Sequence, residues 1–128
     1  MIELYVKRFE ANKASLRELL RLRHQESYKD LVEKVIKTIT SDDHGDLDEK
    51  IHQIDDGEYQ GTLLFIIPEK AYQPNKYWAV KVSYGSCSGC DTLEDIKDSG
   101  DRYKAPDENQ LDQYMTLALH IVQGLKEI

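Results

Sequence analysis

Two stretches with a two-residue period constrain the fold of this 128-residue chain more than any other feature. Residues 58–67 place Tyr59, Leu63, Phe65 and Ile67 on one face, and Tyr77–Tyr84 places Trp78, Val80, Val82 and Tyr84 on one face. On the second face of the first run, Glu58, Gln60 and Thr62 give way to Leu64 and Ile66, so its far end is expected to be buried on both sides. Gly61 inside the run marks a bulge or a close backbone approach. Pro68 ends it, and residues 68–76, with Pro74-Asn75 as a turn signal, lead to the second run. Two strands joined this way predict an antiparallel hairpin. A lone hairpin is unstable in water, so helices must cover it or further strands must join it.

Helical patterns flank the hairpin. Over residues 12–39, Leu16, Leu19 and Leu20, then Tyr28, Leu31, Val32, Val35, Ile36 and Ile39, recur every three or four positions. The stripe turns by about 100° between the two halves, which one straight helix buries poorly. Ser15 with Glu18, and Ser27 with Asp30, have the spacing of helix N-caps, so two helices or a bend near residues 24–27 are expected. Residues 1–9 fit either element: Ile2, Leu4 and Val6 alternate, while Tyr5 and Phe9 suit a helix. Leu47, Ile51 and Ile54 predict a short helix over residues 46–53, ended by the turn Asp55-Asp56-Gly57. After the hairpin, Asp91 with Glu94 opens a short helix that Ser99-Gly100-Asp101 stops. Asp107 with Gln110 opens a final helix. Its inward face is Leu111, Tyr114, Met115, Ala118, Ile121, Val122 and Leu125, with His120 opposite.

These elements predict one α+β domain: an N-terminal helical arm (residues 1–40), an acidic connector (41–58) and an α+β core (58–128). The core is an antiparallel hairpin or small sheet, with the C-terminal helix packed on the Leu63/Phe65/Trp78/Val80 face. No apolar run approaches about 18 residues, so no membrane span is expected. Residues 1–9 lack a signal-peptide core, which points to the cytoplasm.

The net charge of −7 resides in the connector, which holds eight acids and only Lys50 as a base. Such a field repels nucleic acid and attracts a basic protein surface or a cation. Asp42, Asp43, Asp46 and Asp48 are the candidate contact; the plainer reading is a solvated connector. The order of these acids departs from an EF-hand loop.

The two cysteines, Cys87 and Cys90, sit between the second strand and the short helix, in Tyr84-Gly85-Ser86-Cys87-Ser88-Gly89-Cys90-Asp91. The glycines let successive N–H groups converge, and a helix start adds partial positive charge, so the loop suits an anion or a thiolate. Four readings stand side by side. Cys-x-x-Cys supplies two zinc ligands, with His24, His44, His52, His120 or Asp91 to complete the set. It is also the spacing of a dithiol redox pair, although the βαβ context is missing. The loop, with Tyr59 and Gln60 as neighbours, can form a pocket for a small anion or a peptide. Finally, small residues can simply serve a tight turn. No P-loop, H-E-x-x-H or G-x-S-x-G pattern is present, so no catalytic residue is assigned.

Ile51-His52-Gln53-Ile54-Asp55-Asp56-Gly57-Glu58-Tyr59-Gln60-Gly61-Thr62, followed by Tyr84-Gly85-Ser86-Cys87-Ser88-Gly89-Cys90-Asp91-Thr92-Leu93, resembles a group of small uncharacterised proteins encoded by bacteriophages and prophages. The similarity covers residues 51–96, about a third of the chain. It implies an accessory protein working inside a bacterial cell, and it carries over no catalytic role. The expectation is therefore a non-enzymatic interaction protein or inhibitor that binds a host or phage macromolecule, with a protein as its partner. Direct nucleic-acid binding and a membrane role are not expected, and a homodimer through the long helical region is compatible with the pattern. No cofactor is expected in this reading. The alternative is a zinc- or thiol-dependent protein centred on Cys87 and Cys90.

Overall fold

A computed structural model describes residues 2–41, 43, 45–55, 61–84 and 92–128. The first helix, α1 (Ile2–Arg21), starts well before residue 12 and absorbs the ambiguous N-terminal stretch. Its buried stripe is Tyr5, Phe9, Leu16 and Leu20, a helical spacing that outweighs the alternation of Ile2, Leu4 and Val6. Ser15 and Glu18 lie inside this helix, so they are not a cap. The chain breaks after Arg21 and restarts at Ser27, whose side chain accepts the Asp30 N–H at 3.1 Å and opens α2 (Tyr28–Ile39). That restart rotates the apolar stripe, and Tyr28, Leu31, Val32, Val35, Ile36 and Ile39 are all buried.

Four antiparallel strands follow in the order β1-β2-β3-β4: β1 (His52–Asp55), β2 (Gly61–Pro68), β3 (Tyr77–Tyr84) and β4 (Lys126–Glu127). The expected hairpin is β2–β3, in register from Gly61↔Tyr84 to Pro68↔Tyr77. β1 and β4 are the additional strands it required. Cross-strand rows sort the side chains. Gln53, Phe65 and Val80 form one inward row, Asp55, Leu63 and Val82 a second, and Ile67, Trp78 and Glu127 a third. His52, Ile66, Ala79 and Lys126 form an outward row beside that of Ile54, Leu64 and Lys81.

All four helices contribute to one core with the inward residues of β2 and β3. Leu64 and Ile66 stand outside that core and are only half-buried, contrary to the expectation of burial on both sides. Among the described residues, no helix contributes to the outward face.

The helix expected over residues 46–53 is absent. The Asp48 N–H donates to Pro68 O at 2.8 Å, Lys70 N–H to Asp46 O at 2.6 Å, and Leu47 forms a bridge with Glu69. Pairing with the end of β2 draws this stretch straight and buries Leu47 and Ile51, while Ile54 is 52% exposed.

The last two helices are α3 (Thr92–Asp98) and α4 (Glu108–Gln123). Asp107 and Gln110 form the expected reciprocal cap, with N–H donations at 2.8 and 3.0 Å. Gly100 lies against it; a Cβ there would meet Asp107 Oδ2 at 2.7 Å and Gln110 Cδ at 2.8 Å. On α4, Leu117 is buried where Met115 is only partly so, and His120 is exposed as expected. α4 packs chiefly on α1 and touches the sheet where Gly124 meets Val80. Arg17 pairs with Glu108 at 2.7 Å and Asp112 at 2.8 Å across that helix interface. The result is an α+β fold whose N-terminal helices belong to the core. Among the described residues, no helix is long and apolar enough to cross a membrane.

Candidate functional site

The acidic connector is not a uniform charged surface. Asp46 is buried, with its side chain only 7% exposed. Its carboxylate accepts from Arg8 at 2.6 Å, from the Ser41 hydroxyl at 2.6 Å and from the Leu47 N–H at 2.8 Å. Burial pushes its pKa up, but these three donors outweigh burial and hold it below the usual carboxylate value. Asp46 therefore anchors the connector to α1 and is removed from any contact surface. Asp43 is exposed, and Asp48 is half-buried with Oδ1 accepting the Lys50 N–H at 3.2 Å. Asp42 and His44 lie outside the described residues.

Gly85, Ser86, Cys87, Ser88, Gly89, Cys90 and Asp91 also lie outside the described residues, as do Tyr59 and Gln60, so the metal reading at Cys87 and Cys90 falls there too. What the structure places is their anchorage. Gly61 and Tyr84 are register partners, so the two sequence-selected segments leave the sheet from adjacent strand ends. No bulge interrupts the pairing at Gly61. Among the described residues, no group of three His, Cys, Asp or Glu side chains stands where it could hold a metal ion. His24 serves structure: Nδ1 lies 2.7 Å from the Tyr114 hydroxyl, joining the α1–α2 link to α4. Burial pushes the Tyr114 hydroxyl up to about 12.

Two clefts border that end of the sheet. The larger, about 440 Å³, runs between α3 and α4 and is lined by Thr92, Asp95, Gln113, Thr116 and His120. A hollow of about 230 Å³ beside it shares Thr92 and His120 and adds Lys81 and Ser83 from β3. His120, assigned only to an exposed side by the sequence, thus stands beside the residue where α3 begins.

The second cleft, about 210 Å³, lies under β1. Gln53 and Asp55 point inward from β1, Leu63 forms the β2 wall, and Glu26, Tyr28 and Glu94 come from the starts of α2 and α3. The Tyr28 hydroxyl accepts the Leu93 N–H at 3.1 Å, which ties the start of α3 to α2. Burial pushes the Glu94 carboxyl up, yet the Arg102 guanidinium at 2.5 Å and Lys97 at 3.6 Å hold it below its ordinary value. Beside this cleft β1 is a sheet edge with all four residues exposed. Among the described residues, no backbone group outside the sheet bonds to it.

No sequence motif marks this cleft. His-Gln-Ile-Asp is a weak strand signature, and Glu26 and Glu94 read as ordinary acids of helix first turns. The only usable signal was that a hairpin needs further strands. Set against known protein families, curated proteins and solved structures, the chain matches none of them.

Proposed function

We propose that this chain is a small non-enzymatic binding protein, of phage or prophage origin and active inside a bacterial cell, that docks a protein partner on the outward face of its sheet. The observation that carries the reading is the outward face itself: among the described residues no helix packs on it, and it runs out to β1, whose four residues are exposed. Sheet edges are templates for pairing, and unneeded ones are ordinarily shortened, charged or covered. Here Ile54 projects from the edge beside Leu64, and the two outward rows contain Lys81 and Lys126 but no carboxylate. Rows without acids among the described residues, on a chain whose net charge of −7 repels nucleic acid, fit a protein partner better than nucleic acid.

The test is affinity capture from bacterial lysate with the wild-type chain and with Ile54→Lys, followed by direct titration of any purified retained protein. Binding should weaken at least tenfold in the variant, while the thermal midpoint of a half-exposed position should move little. Equal binding by both chains, or no retained protein, refutes the reading.

A second reading draws on His120, which stands beside Thr92, one residue beyond the cysteine segment in sequence. In it, Cys87 and Cys90 are zinc ligands or reactive thiols, and His120 is the imidazole donor. Native mass spectrometry decides this: one zinc per chain, removed by a chelator and by both Cys87→Ser and Cys90→Ser, supports it. A metal-free chain refutes the zinc form.

A further inference from the structure

We infer that the hollow between β3, α3 and α4 binds the phosphate group of a small phosphate monoester, whose organic part lies in the adjoining cleft between α3 and α4. The inference goes beyond the docking proposed above and does not depend on it. Three consecutive residues of β3, Lys81, Val82 and Ser83, line the hollow, as a strand does where it presents its edge. β4 pairs with Trp78 and Ala79, and among the described residues no strand covers the edge beyond them. The Ile128 N–H donates to Tyr77 O at 2.9 Å, so the backbone groups of Tyr77 point to the β4 side. With a period of two, those of Lys81 and Ser83 point the same way, which brings two N–H groups to the hollow. Sheet-edge N–H groups in a concavity are anion donors.

Four exposed side chains add to them. Lys81 supplies a cation, Ser83 and Thr92 supply hydroxyl donors, and His120 an imidazole N–H. Among the described residues, none of these four side chains forms an ion pair or hydrogen bond within the protein, so their donors are available. The lining holds no carboxylate, although the chain carries a net charge of −7. Val82, Leu117 and Ile121 form the apolar remainder of the wall, and a low local dielectric strengthens charge-assisted hydrogen bonds. So many donors suit the three terminal oxygens and nearly double charge of a phosphate monoester better than the two oxygens of a carboxylate.

Volume and charge place the two parts of the ligand. At about 230 Å³ the hollow falls below the roughly 300–1,000 Å³ of small-molecule sites, so it takes one group and not a whole molecule. It shares Thr92, Leu117 and His120 with the cleft of about 440 Å³, which lies within that range. That cleft is lined by Asp95 and Asp112, so the anionic end belongs in the hollow and an uncharged body in the cleft. Gln113 and Thr116 on its wall suit a hydroxylated body.

The experiment titrates the intact protein with glycerol 3-phosphate, inorganic phosphate, acetate and glycerol at constant ionic strength, following backbone amide and imidazole shifts. Glycerol 3-phosphate should give saturable shifts at Lys81, Ser83 and His120 and bind at least fivefold tighter than inorganic phosphate. Acetate and glycerol should leave these signals unchanged. Lys81→Gln and His120→Ala, each with its thermal midpoint checked, should weaken binding at least fivefold. Ile54→Lys, and prior removal of metal with a chelator, should leave the affinity as it was. Shifts that do not saturate, binding of acetate as tight as that of the phosphates, or full affinity in Lys81→Gln overturn the inference. Equal affinity for both phosphates overturns the organic body in favour of free phosphate. Loss of binding after chelation overturns it in favour of an anion held by a metal.

Discussion

Replacing Trp78 with alanine should lower the unfolding free energy by about 3–5 kcal/mol, the range for truncating a large buried aromatic. Trp78 is almost fully buried, lies in register with Ile67 on β2, and meets the Tyr5 ring edge-on with centroids 6.2 Å apart. It therefore joins the sheet to α1, and its loss opens a cavity at the point where those two layers meet. The indole Nε1–H is buried without a hydrogen-bond partner among the described residues. Trp78→Phe should accordingly cost much less, about 1–2 kcal/mol, because the smaller ring also removes an unpaired donor. Urea unfolding of the three proteins checks both values. A Trp78→Phe midpoint as low as that of Trp78→Ala would contradict the account of the unpaired donor.

Removing the Asp46 carboxylate should cost about 2–4 kcal/mol. The range sits below that for a fully buried ion pair because the Arg8 side chain is 29% exposed and can recover some hydration. Asp46→Ala leaves the Leu47 N–H and the Ser41 hydroxyl without their acceptor and frees Arg8 from one of its two partners, the other being Ile39 O at 3.1 Å. The same interaction has a pH signature. The folded state holds this carboxyl below the usual aspartate value, so the unfolded chain binds the proton more readily. Its contribution is complete above about pH 4, the unfolded value, and fades as the pH falls toward the depressed folded value. Unfolding free energies of wild type and Asp46→Asn, measured at pH 6 and pH 3, should therefore converge at the lower pH. A constant difference would show that the carboxylate is not the titrating group.

Local chemistry was the readable part of the sequence. The caps at Ser27 and Asp107 depend on residues three positions apart, and the β2–β3 hairpin on a nine-residue connection, so each is visible in a short window. The stretch around Leu47, Ile51 and Ile54 misled because its spacing is helical, yet its backbone finds partners at Pro68 and Lys70, about twenty residues away. The same long-range pairing buries Asp46, whose charge alone suggested a surface role. The edge at β1 was invisible for a related reason. Four mostly polar residues become a strand only because Leu63–Ile66 lie opposite them. Of the candidate site, the sequence pointed through Tyr84 to the end of the sheet where Gly61 and Tyr84 are register partners. The cleft under β1, however, is assembled from four elements, and no motif reports it.

The packing of α1 on α4 carries a consequence for synthesis on the ribosome. Arg17 and Glu108 are in contact across 91 positions of sequence. The stripe of Tyr5, Phe9, Leu16 and Leu20 can therefore meet α2 early but is synthesised well before α4, its other helical neighbour. At about 5–20 residues per second, that wait lasts about 5–20 seconds. During this interval the three-strand meander can pair, since its strands are consecutive, while the first helix presents an apolar stripe to the cytosol of whichever cell is translating it. The nascent chain is thus a natural client for factors that shield hydrophobic segments until α4 arrives on α1.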